Sequence, residues 1–202
     1  KVRIHAARWE DICLVETEVK EGHQNKSVIA DKGAEYESTL EFDISGLHPQ
    51  VSIPHSVDNV ASVKELKAIK INEAFLGTCT NGRLEDFKVA AKILKSRKVA
   101  AGVKFIIAPS SRGVFLEALK LGLIDIFIKA GAAILAPGCG PCVGTHCGIP
   151  ADGEIVISTA NRNFKGRMGC REHSPNPRCP RWVSCRHPLD IWWDWILESS
   201  QS

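Results

Sequence analysis

The sequence lacks any apolar run long enough to cross a lipid bilayer, and its first residues lack the apolar stretch that forms the core of a signal peptide. It also lacks a run of like charge, and its formal net charge is only +3. A polybasic tail or a strong charge excess would argue for binding to nucleic acid or to a membrane surface. We therefore expect no nucleic-acid partner and no membrane partner, and we expect the chain to be cytoplasmic.

The composition is that of an ordinary globular protein, with 202 residues of which 44% are hydrophobic and 24% are charged. A chain of this length buries one good core or two small ones. Its eight cysteines are the unusual feature. In the cytoplasm they are expected to be reduced thiols or metal ligands, although the count alone also fits a secreted chain with disulfides.

Strand and helix patterns alternate regularly from about residue 69 onward. Buried strands are predicted at 71–76, 103–108, 132–136 and 154–158. An earlier strand is predicted where Leu40, Phe42 and Ile44 alternate with polar residues. The helix after the second of the buried strands begins at Ser110 or Ser111 as N-cap. Its predicted inner face consists of Val114, Phe115, Ala118 and Leu119. This order predicts an α/β fold with a mostly parallel sheet and flanking helices.

Three cysteines follow two of the predicted strands. Cys79 lies directly after strand 71–76, and Cys139 and Cys142 lie in a glycine-rich loop after strand 132–136. Ligand loops of such sheets lie at the carboxyl ends of the strands, so these thiols are expected to meet at one edge. Three thiolates suit three irons of a cubane iron–sulfur cluster and leave the fourth iron open to bind a substrate oxygen.

Two other interpretations of the cysteines stay open. Cys147, with His146, can add a fourth ligand to a cluster or to a zinc site, although Cys79 has no paired neighbour of the kind that structural zinc sites use. Cys139-Gly140-Pro141-Cys142 is also the tetrapeptide of thioredoxins, in which the first cysteine caps a helix. Two glycines and a proline make residues 143–150 a poor helix, which argues against the redox interpretation.

A third glycine-containing loop is predicted after strand 154–158. It carries Arg162 and Arg167, which are able to bind a substrate with two or more carboxylates through bidentate hydrogen bonds. The alternative is a solvated basic loop without a ligand. A polyanionic substrate bound through an open iron needs such groups, so the cysteines and the arginines support each other.

Together, these motifs resemble the cluster and substrate motifs of the aconitase superfamily in order and spacing. The segments that carry the resemblance are Gly77-Thr78-Cys79-Thr80-Asn81-Gly82-Arg83, Pro137-Gly138-Cys139-Gly140-Pro141-Cys142-Val143-Gly144 and Asn161-Arg162-Asn163-Phe164-Lys165-Gly166-Arg167. Within the superfamily they are most similar to the large subunits of 3-isopropylmalate dehydratases, in the archaeal-type form that overlaps with homoaconitases. The similarity runs from about Ala30 to Gly169.

The resemblance implies a [4Fe-4S] hydro-lyase of leucine biosynthesis, a branched-chain amino acid pathway, that isomerises 2-isopropylmalate to 3-isopropylmalate by dehydration and rehydration. The implied cluster ligands are Cys79, Cys139 and Cys142. The implied substrate-binding residues are Arg162, Arg167 and Asn161. The implied partners are a small hydroxy di- or tricarboxylic acid and a small subunit with a swivelling domain that supplies the catalytic base. The alternatives are homoaconitase- or aconitase-type activity on a tricarboxylic acid, and a non-catalytic metal-binding module.

The resemblance divides the chain into three parts. Residues 1–29 are an unassigned segment, 30–169 an aconitase-like iron–sulfur domain, and 170–202 an atypical tail. The family's large subunit is about twice as long as this chain, and its earlier domains contribute further active-site residues. We therefore expect this chain to carry the cluster ligands but little of the acid–base machinery, and to be inactive alone.

Residues 170–202 change composition sharply, with three cysteines, four prolines and four of the five tryptophans. We interpret this segment as a non-native tail that arose from a frameshift, a truncated reading frame or a foreign join. Failure to find a family-like continuation in the other two reading frames of the gene would count against this. The functional alternatives are a Trp-rich membrane-interface anchor and a zinc site. The zinc ligands would be Cys170, His173, Cys179 and Cys185.

Overall fold

The computed structural model describes residues 31–35, 38, 45–46, 48–63, 70–169, 181–184, 193 and 197. The chain divides into two compact units, Lys1–Gly46 and Leu47–Ser202. In the first unit a turn is closed by a hydrogen bond from the backbone N of Ala34 to the carbonyl of Asp31, with an N···O distance of 3.0 Å. The strand predicted around Leu40 and the proposed zinc ligands of the tail lie outside the described residues.

The second unit is built on one sheet with the strand order β2-β1-β7-β6-β3-β4-β5. The strands are β1 (Gln50–Ser52), β2 (Val60–Ser62), β3 (Glu73–Gly77), β4 (Lys104–Ala108), β5 (Ala133–Ile134), β6 (Ile155–Ser158) and β7 (Arg181–Ser184). The run from β7 to β5 is parallel, whereas β1 is antiparallel to both β2 and β7. The predicted α/β fold with a mostly parallel sheet is confirmed.

Three described helices follow the strand–helix alternation: α1 (Leu84–Leu94), α2 (Arg112–Lys120) and α3 (Leu123–Ala130). In α1 one face is fully buried because its apolar residues recur every three or four positions. That face consists of Phe87, Ala90, Ala91 and Leu94. The N-cap of α2 is Ser111, whose Oγ accepts a hydrogen bond from the backbone N of Val114 at 3.2 Å. None of the described helices combines the length and the apolar character needed to cross a membrane.

The predicted inner face of α2 is only partly correct. Ala118 is fully buried, Val114 and Phe115 are half-buried, and Leu119 has 47% of its surface exposed. The helix packs against α1 and α3. The apolar face of α2 that packs against these helices is therefore narrower than predicted and does not include Leu119.

The main core lies between the helices and β3, β4 and β6, and two residues near the carboxyl end of the chain are part of it. Trp193 is 1% exposed, and its ring packs edge-on against Phe105 at a centroid distance of 5.9 Å. Leu197 is also buried and forms an isolated β-bridge with Val99. Sequence reasoning missed both these contacts and β7. The non-native origin of residues 170–202 stays a prediction.

A buried carboxylate lies at the amino end of the parallel strands, opposite the edge where the cysteines were predicted. Glu73, the first residue of β3, is fully buried, and Lys104 Nζ lies 3.1 Å from its Oε2. The same Nζ lies 2.6 Å from Oε2 of Glu154. Burial raises the pKa of Glu73 to about 7, although attraction to Lys104 opposes the change.

Candidate metal centre

The first of three loops at the carboxyl edge of the sheet, residues 77–83, is called the Cys79 loop. It starts at Gly77, which has a φ of 137° and lies so close to β4 that a Cβ would collide with the carbonyl of Ala108. Thr78 follows with a φ of 91°, and its Oγ1 accepts hydrogen bonds from two backbone N–H groups further along the loop at 3.3 Å. This tight turn leaves the thiol of Cys79 exposed directly after β3.

The second loop, residues 137–148, is called the Cys139 loop. The backbone N of Gly138 donates to the carbonyl of Pro109 at 3.0 Å, which holds the loop against the end of β4. A single 3-10 turn, Gly140–Val143, follows Cys139 and ends at Gly144, which has a φ of 71°. The thioredoxin interpretation needs an α-helix at this position. The residues that follow Cys142 do not continue the turn as a helix, as the glycines and proline predicted.

The third loop, residues 161–169, is called the arginine loop. The guanidinium of Arg167 donates a hydrogen bond from Nη2 to Sγ of Cys142 at 3.3 Å and lies over the ring of Phe164, with Cζ 5.5 Å from the centroid. The arginine loop also meets the Cys139 loop through backbone, because a Cβ on Gly144 would collide with Gly169. Arg167 is therefore beside one of the predicted ligands.

Side-chain amides connect the Cys79 loop to the arginine loop. Nδ2 of Asn81 donates to the carbonyl of Thr159 and, at 2.7 Å, to Oδ1 of Asn161. Nδ2 of Asn161 donates to Oγ1 of Thr80 at 2.8 Å. The hydroxyl of Thr159 exchanges hydrogen bonds with the backbone of Gly77, the last residue of β3, at 2.9 and 3.1 Å, which extends the contact between β3 and β6 beyond the end of β6. Asn161 is thus fixed next to the Cys79 loop.

The thiols interact with one another as members of one site. Burial raises the pKa of Cys139, and the negative charge of a neighbouring Cys79 thiolate, a hydrogen bond with Cys79 and the charge of Cys142 raise it further. The positive charge of Arg167 acts in the opposite direction. Cys147 is exposed and is not among the groups that shift this pKa. All three loops therefore contact each other pairwise, although they are far apart in sequence.

The described residues contain no group of three Cys, His, Asp or Glu side chains arranged to hold a single metal ion. In a cubane cluster each thiolate binds a different iron. The three thiols of these neighbouring loops match three irons of such a cluster in number and kind.

The structure thus brings together most of the residues that the sequence singled out. Cys79, Cys139, Cys142, Asn161 and Arg167 lie in mutually contacting loops, and Arg162 is exposed in the arginine loop. Sequence reasoning missed three supporting residues, Asn81, Thr159 and Asn163. Asn81 and Asn163 stand within the motifs quoted above, but nothing in the sequence indicates which distant backbone or side-chain groups they bind.

Comparison with known proteins identifies the family of the chain. Residues 62–176, more than half of the chain, match the aconitase family (aconitate hydratase). The chain belongs to the aconitase family, as the resemblance of its three motifs predicted.

Its relatives narrow the comparison. The chain is 57% identical over 148 residues to the 3-isopropylmalate dehydratase large subunit of Elusimicrobium minutum, which covers 73% of this chain and 35% of the relative. It is 58% identical over 144 residues to 3-isopropylmalate dehydratase large subunit 2 of Archaeoglobus fulgidus, covering 71% and 35%. It is 55% identical over 136 residues to the methanogen homoaconitase large subunit of Methanocaldococcus jannaschii, covering 67% and 32%. The chain spans about a third of the length of these relatives.

Proposed function

We propose that this chain is the cluster-bearing part of a hydro-lyase that isomerises 2-isopropylmalate to 3-isopropylmalate by dehydration and rehydration. The observation that carries the proposal is the meeting of three thiols and the Arg167 guanidinium in loops that contact each other pairwise at one sheet edge. The names of the two relatives most relevant here, both 3-isopropylmalate dehydratase large subunits, support the choice of reaction.

The donor set fits a [4Fe-4S] cluster. Cys79, Cys139 and Cys142 would hold it, and their three thiolates would match three of its four irons. When bound, such a cluster supplies a Lewis-acidic iron that polarises a substrate hydroxyl. Arg167 donates to the sulfur of Cys142 and thereby offsets part of the negative charge that three thiolates gather at this edge.

Substrate binding is assigned to the arginine loop. Arg162 and Arg167 are the two guanidinium groups of this loop, and guanidinium matches the planar, bidentate geometry of a carboxylate. Arg167 is already partly engaged with Cys142, so a carboxylate bound to it would lie close to the thiols. Asn161 offers an amide between the Cys79 loop and the arginines.

The catalytic base is assigned to another part of the assembly. The Cys79 loop, the Cys139 loop and the arginine loop contain no Asp or Glu, and their only histidine is the exposed His146. Removal of a carbon-bound proton needs a positioned base within hydrogen-bonding reach of that proton. We therefore propose that a small subunit with a swivelling domain supplies the base, in keeping with the name "large subunit" that these relatives carry.

A second candidate is homoaconitase-type activity on a tricarboxylic acid. It is favoured by the 55% identity to a methanogen homoaconitase large subunit. The substrates of the two candidates differ in one branch. In isopropylmalate this branch is the apolar isopropyl group, whereas in the tricarboxylic acid it carries a further carboxylate. The same two arginines serve the shared carboxylates in both.

The test is anaerobic reconstitution of the chain with iron and sulfide, followed by metal analysis and by electron paramagnetic resonance spectra of the cluster after one-electron reduction with dithionite, with and without 2-isopropylmalate. We expect about four irons per chain and a spectrum that 2-isopropylmalate perturbs. Cys142→Ser should lose most of the iron, whereas the matched control Cys147→Ser should keep it. Homocitrate added in a parallel sample distinguishes the second candidate.

Two results would overturn the proposal. Equal iron retention in Cys142→Ser and Cys147→Ser would show that the three-thiolate assignment is wrong. A fully ligated metal whose spectrum ignores both hydroxy acids would indicate a non-catalytic metal-binding module. Circular dichroism of each variant excludes unfolding as the cause of metal loss.

A further inference from the structure

Asn163 makes an unusual set of contacts from within the arginine loop. Its side chain is almost fully buried, with 1% of the residue exposed. Its Nδ2 donates to three backbone carbonyls, those of Ser52 at 3.1 Å, Ile53 at 2.9 Å and Ser56 at 3.2 Å. These residues are more than a hundred positions away in sequence, at the end of β1 and in the turn before β2.

The orientation of this amide follows from its surroundings. An amide nitrogen carries two hydrogens and no acceptor, and here it faces three carbonyl oxygens, so at least one hydrogen is shared. The reversed amide would place its oxygen against the same three oxygens, which repel it. The turn it grips is ordered by its own hydrogen bonds, including one of 2.7 Å from the N of Ile53 to the carbonyl of Asn59. Asn163 is therefore anchored to a structured segment.

Arg162 stands between two asparagines that are both held in place. On one side Asn161 is bound to Asn81 and Thr80, and on the other side Asn163 is bound to the turn that follows β1. Arg162 itself is exposed. The backbone on both sides of Arg162 is thus fixed to different parts of the sheet, while its guanidinium is left open to solvent.

We propose that Asn163 is a positioning residue for Arg162, which pins the arginine loop to the turn after β1 and so holds this guanidinium in place for a substrate carboxylate. The inference rests on the proposed function, since it assumes that Arg162 binds a carboxylate. Ordering a loop when a ligand binds costs conformational free energy, and a backbone that is already fixed avoids the backbone part of that cost.

The test is a double-mutant cycle with 2-isopropylmalate as the probe, on the full chain with reconstituted cluster. Affinity is measured by isothermal titration calorimetry for the parent, Asn163→Ala, Arg162→Ala and the double variant. We expect Arg162→Ala to weaken binding 10- to 100-fold, as for loss of a hydrogen bond to a charged group, and Asn163→Ala to weaken it about tenfold. If Asn163 acts through Arg162, the double variant binds no more weakly than Arg162→Ala.

Two further variants separate positioning from general damage to the turn. Asn59→Ala is the matched control, because the side chain of Asn59 makes its 3.4 Å hydrogen bond within the same turn, to the carbonyl of Pro54, and takes no part in the hydrogen bonds of Asn163. It should bind 2-isopropylmalate like the parent. Asn163→Ser keeps one hydroxyl donor and should give an intermediate affinity, which also covers the case in which Asn163→Ala does not fold.

The outcomes are distinguishable. If Asn163→Ala and Asn163→Ser bind 2-isopropylmalate as tightly as the parent does, the inference is wrong and the proposed function still stands. Full additivity of the two substitutions in the cycle has the same meaning. A parent that keeps its cluster and does not bind 2-isopropylmalate overturns the proposed function instead. Hydrogen exchange then decides the pinning: faster exchange at residues 161–169 in Asn163→Ser supports it, and unchanged exchange overturns it.

Discussion

Replacing the buried Glu73 by glutamine should remove a pH dependence of stability that lies between about pH 4.5 and 7. The pKa of Glu73 is raised from 4.5 to about 7 in the folded chain, chiefly by burial. A raised carboxyl pKa means that the folded state binds the proton more tightly than the unfolded state. Its stabilising contribution is therefore complete below pH 4.5 and is lost as the pH rises through 7.

The magnitude follows from the size of the shift. Each pKa unit corresponds to 1.36 kcal/mol, so a change from 4.5 to about 7 amounts to about 3 kcal/mol of unfolding free energy. Glutamine has nearly the shape of the protonated acid and carries no charge. We expect Glu73→Gln to match the parent near pH 4.5 and to exceed it by about 3 kcal/mol at pH 8.

Urea unfolding followed by circular dichroism at pH 5, 6, 7 and 8 measures this difference. Glu154→Gln is the control, because Glu154 pairs with the same Lys104 but has a lowered pKa. Burial alone would raise the pKa of Glu154, but hydrogen bonds from Lys104 and from the backbone of Ala151 lower it by more. Its own stabilising contribution is lost only below pH 4.5, and its charge makes the smallest contribution to the raised pKa of Glu73, so Glu154→Gln should keep most of the slope from pH 5 to 8. Parallel curves for the parent and Glu73→Gln would falsify the reasoning.

Two further predictions concern packing. Gly144→Ala should destabilise the chain more than Gly153→Ala, since both glycines have positive φ angles, 71° and 81°, but only a Cβ at Gly144 meets another backbone, that of Gly169. Equal losses in urea unfolding would contradict the close approach of the two loops. Trp193→Ala should lower the unfolding free energy by 3–5 kcal/mol, as for other large core residues. A change below about 1 kcal/mol would mean that Trp193 is not part of the core.

The convergence of the thiols was predictable because strand-end geometry is a general property of parallel sheets. Cys79 directly follows β3, and the Cys139 loop follows β5, so the carboxyl edge was the expected meeting place. The hydrogen bond from Arg167 to Cys142 was not predictable. The relative position of Arg167 and Cys142 depends on the 3-10 turn and on the backbone contact between Gly144 and Gly169. Neither feature produces a periodic pattern of residues in the sequence.

Elements that are stabilised mainly by tertiary contacts could not be predicted from the sequence for the same reason. Strand β7, Arg181–Ser184, is too short for an alternation to be recognised, and it inserts between β1 and β6, which flank it in space but not in sequence. The hydrogen bonds of Asn163 were equally unpredictable, since its three acceptors are backbone carbonyls that any residue could supply. Sequence patterns identify the residues that carry the chemistry of the site. The residues that hold them in position are determined by tertiary contacts.

The pairwise contacts among the three loops have a consequence for the proposed cluster and its loss on exposure to oxygen. The Asn81–Asn161 bridge, the extension of the sheet by Thr159 and the Gly144–Gly169 approach are all made by protein groups alone. Because these contacts need no metal, we expect the three loops to keep their arrangement without one, in contrast to a zinc finger. Oxidative loss of a cluster would leave a folded receptor behind, so repair becomes a matter of iron and sulfide delivery, without a new round of folding.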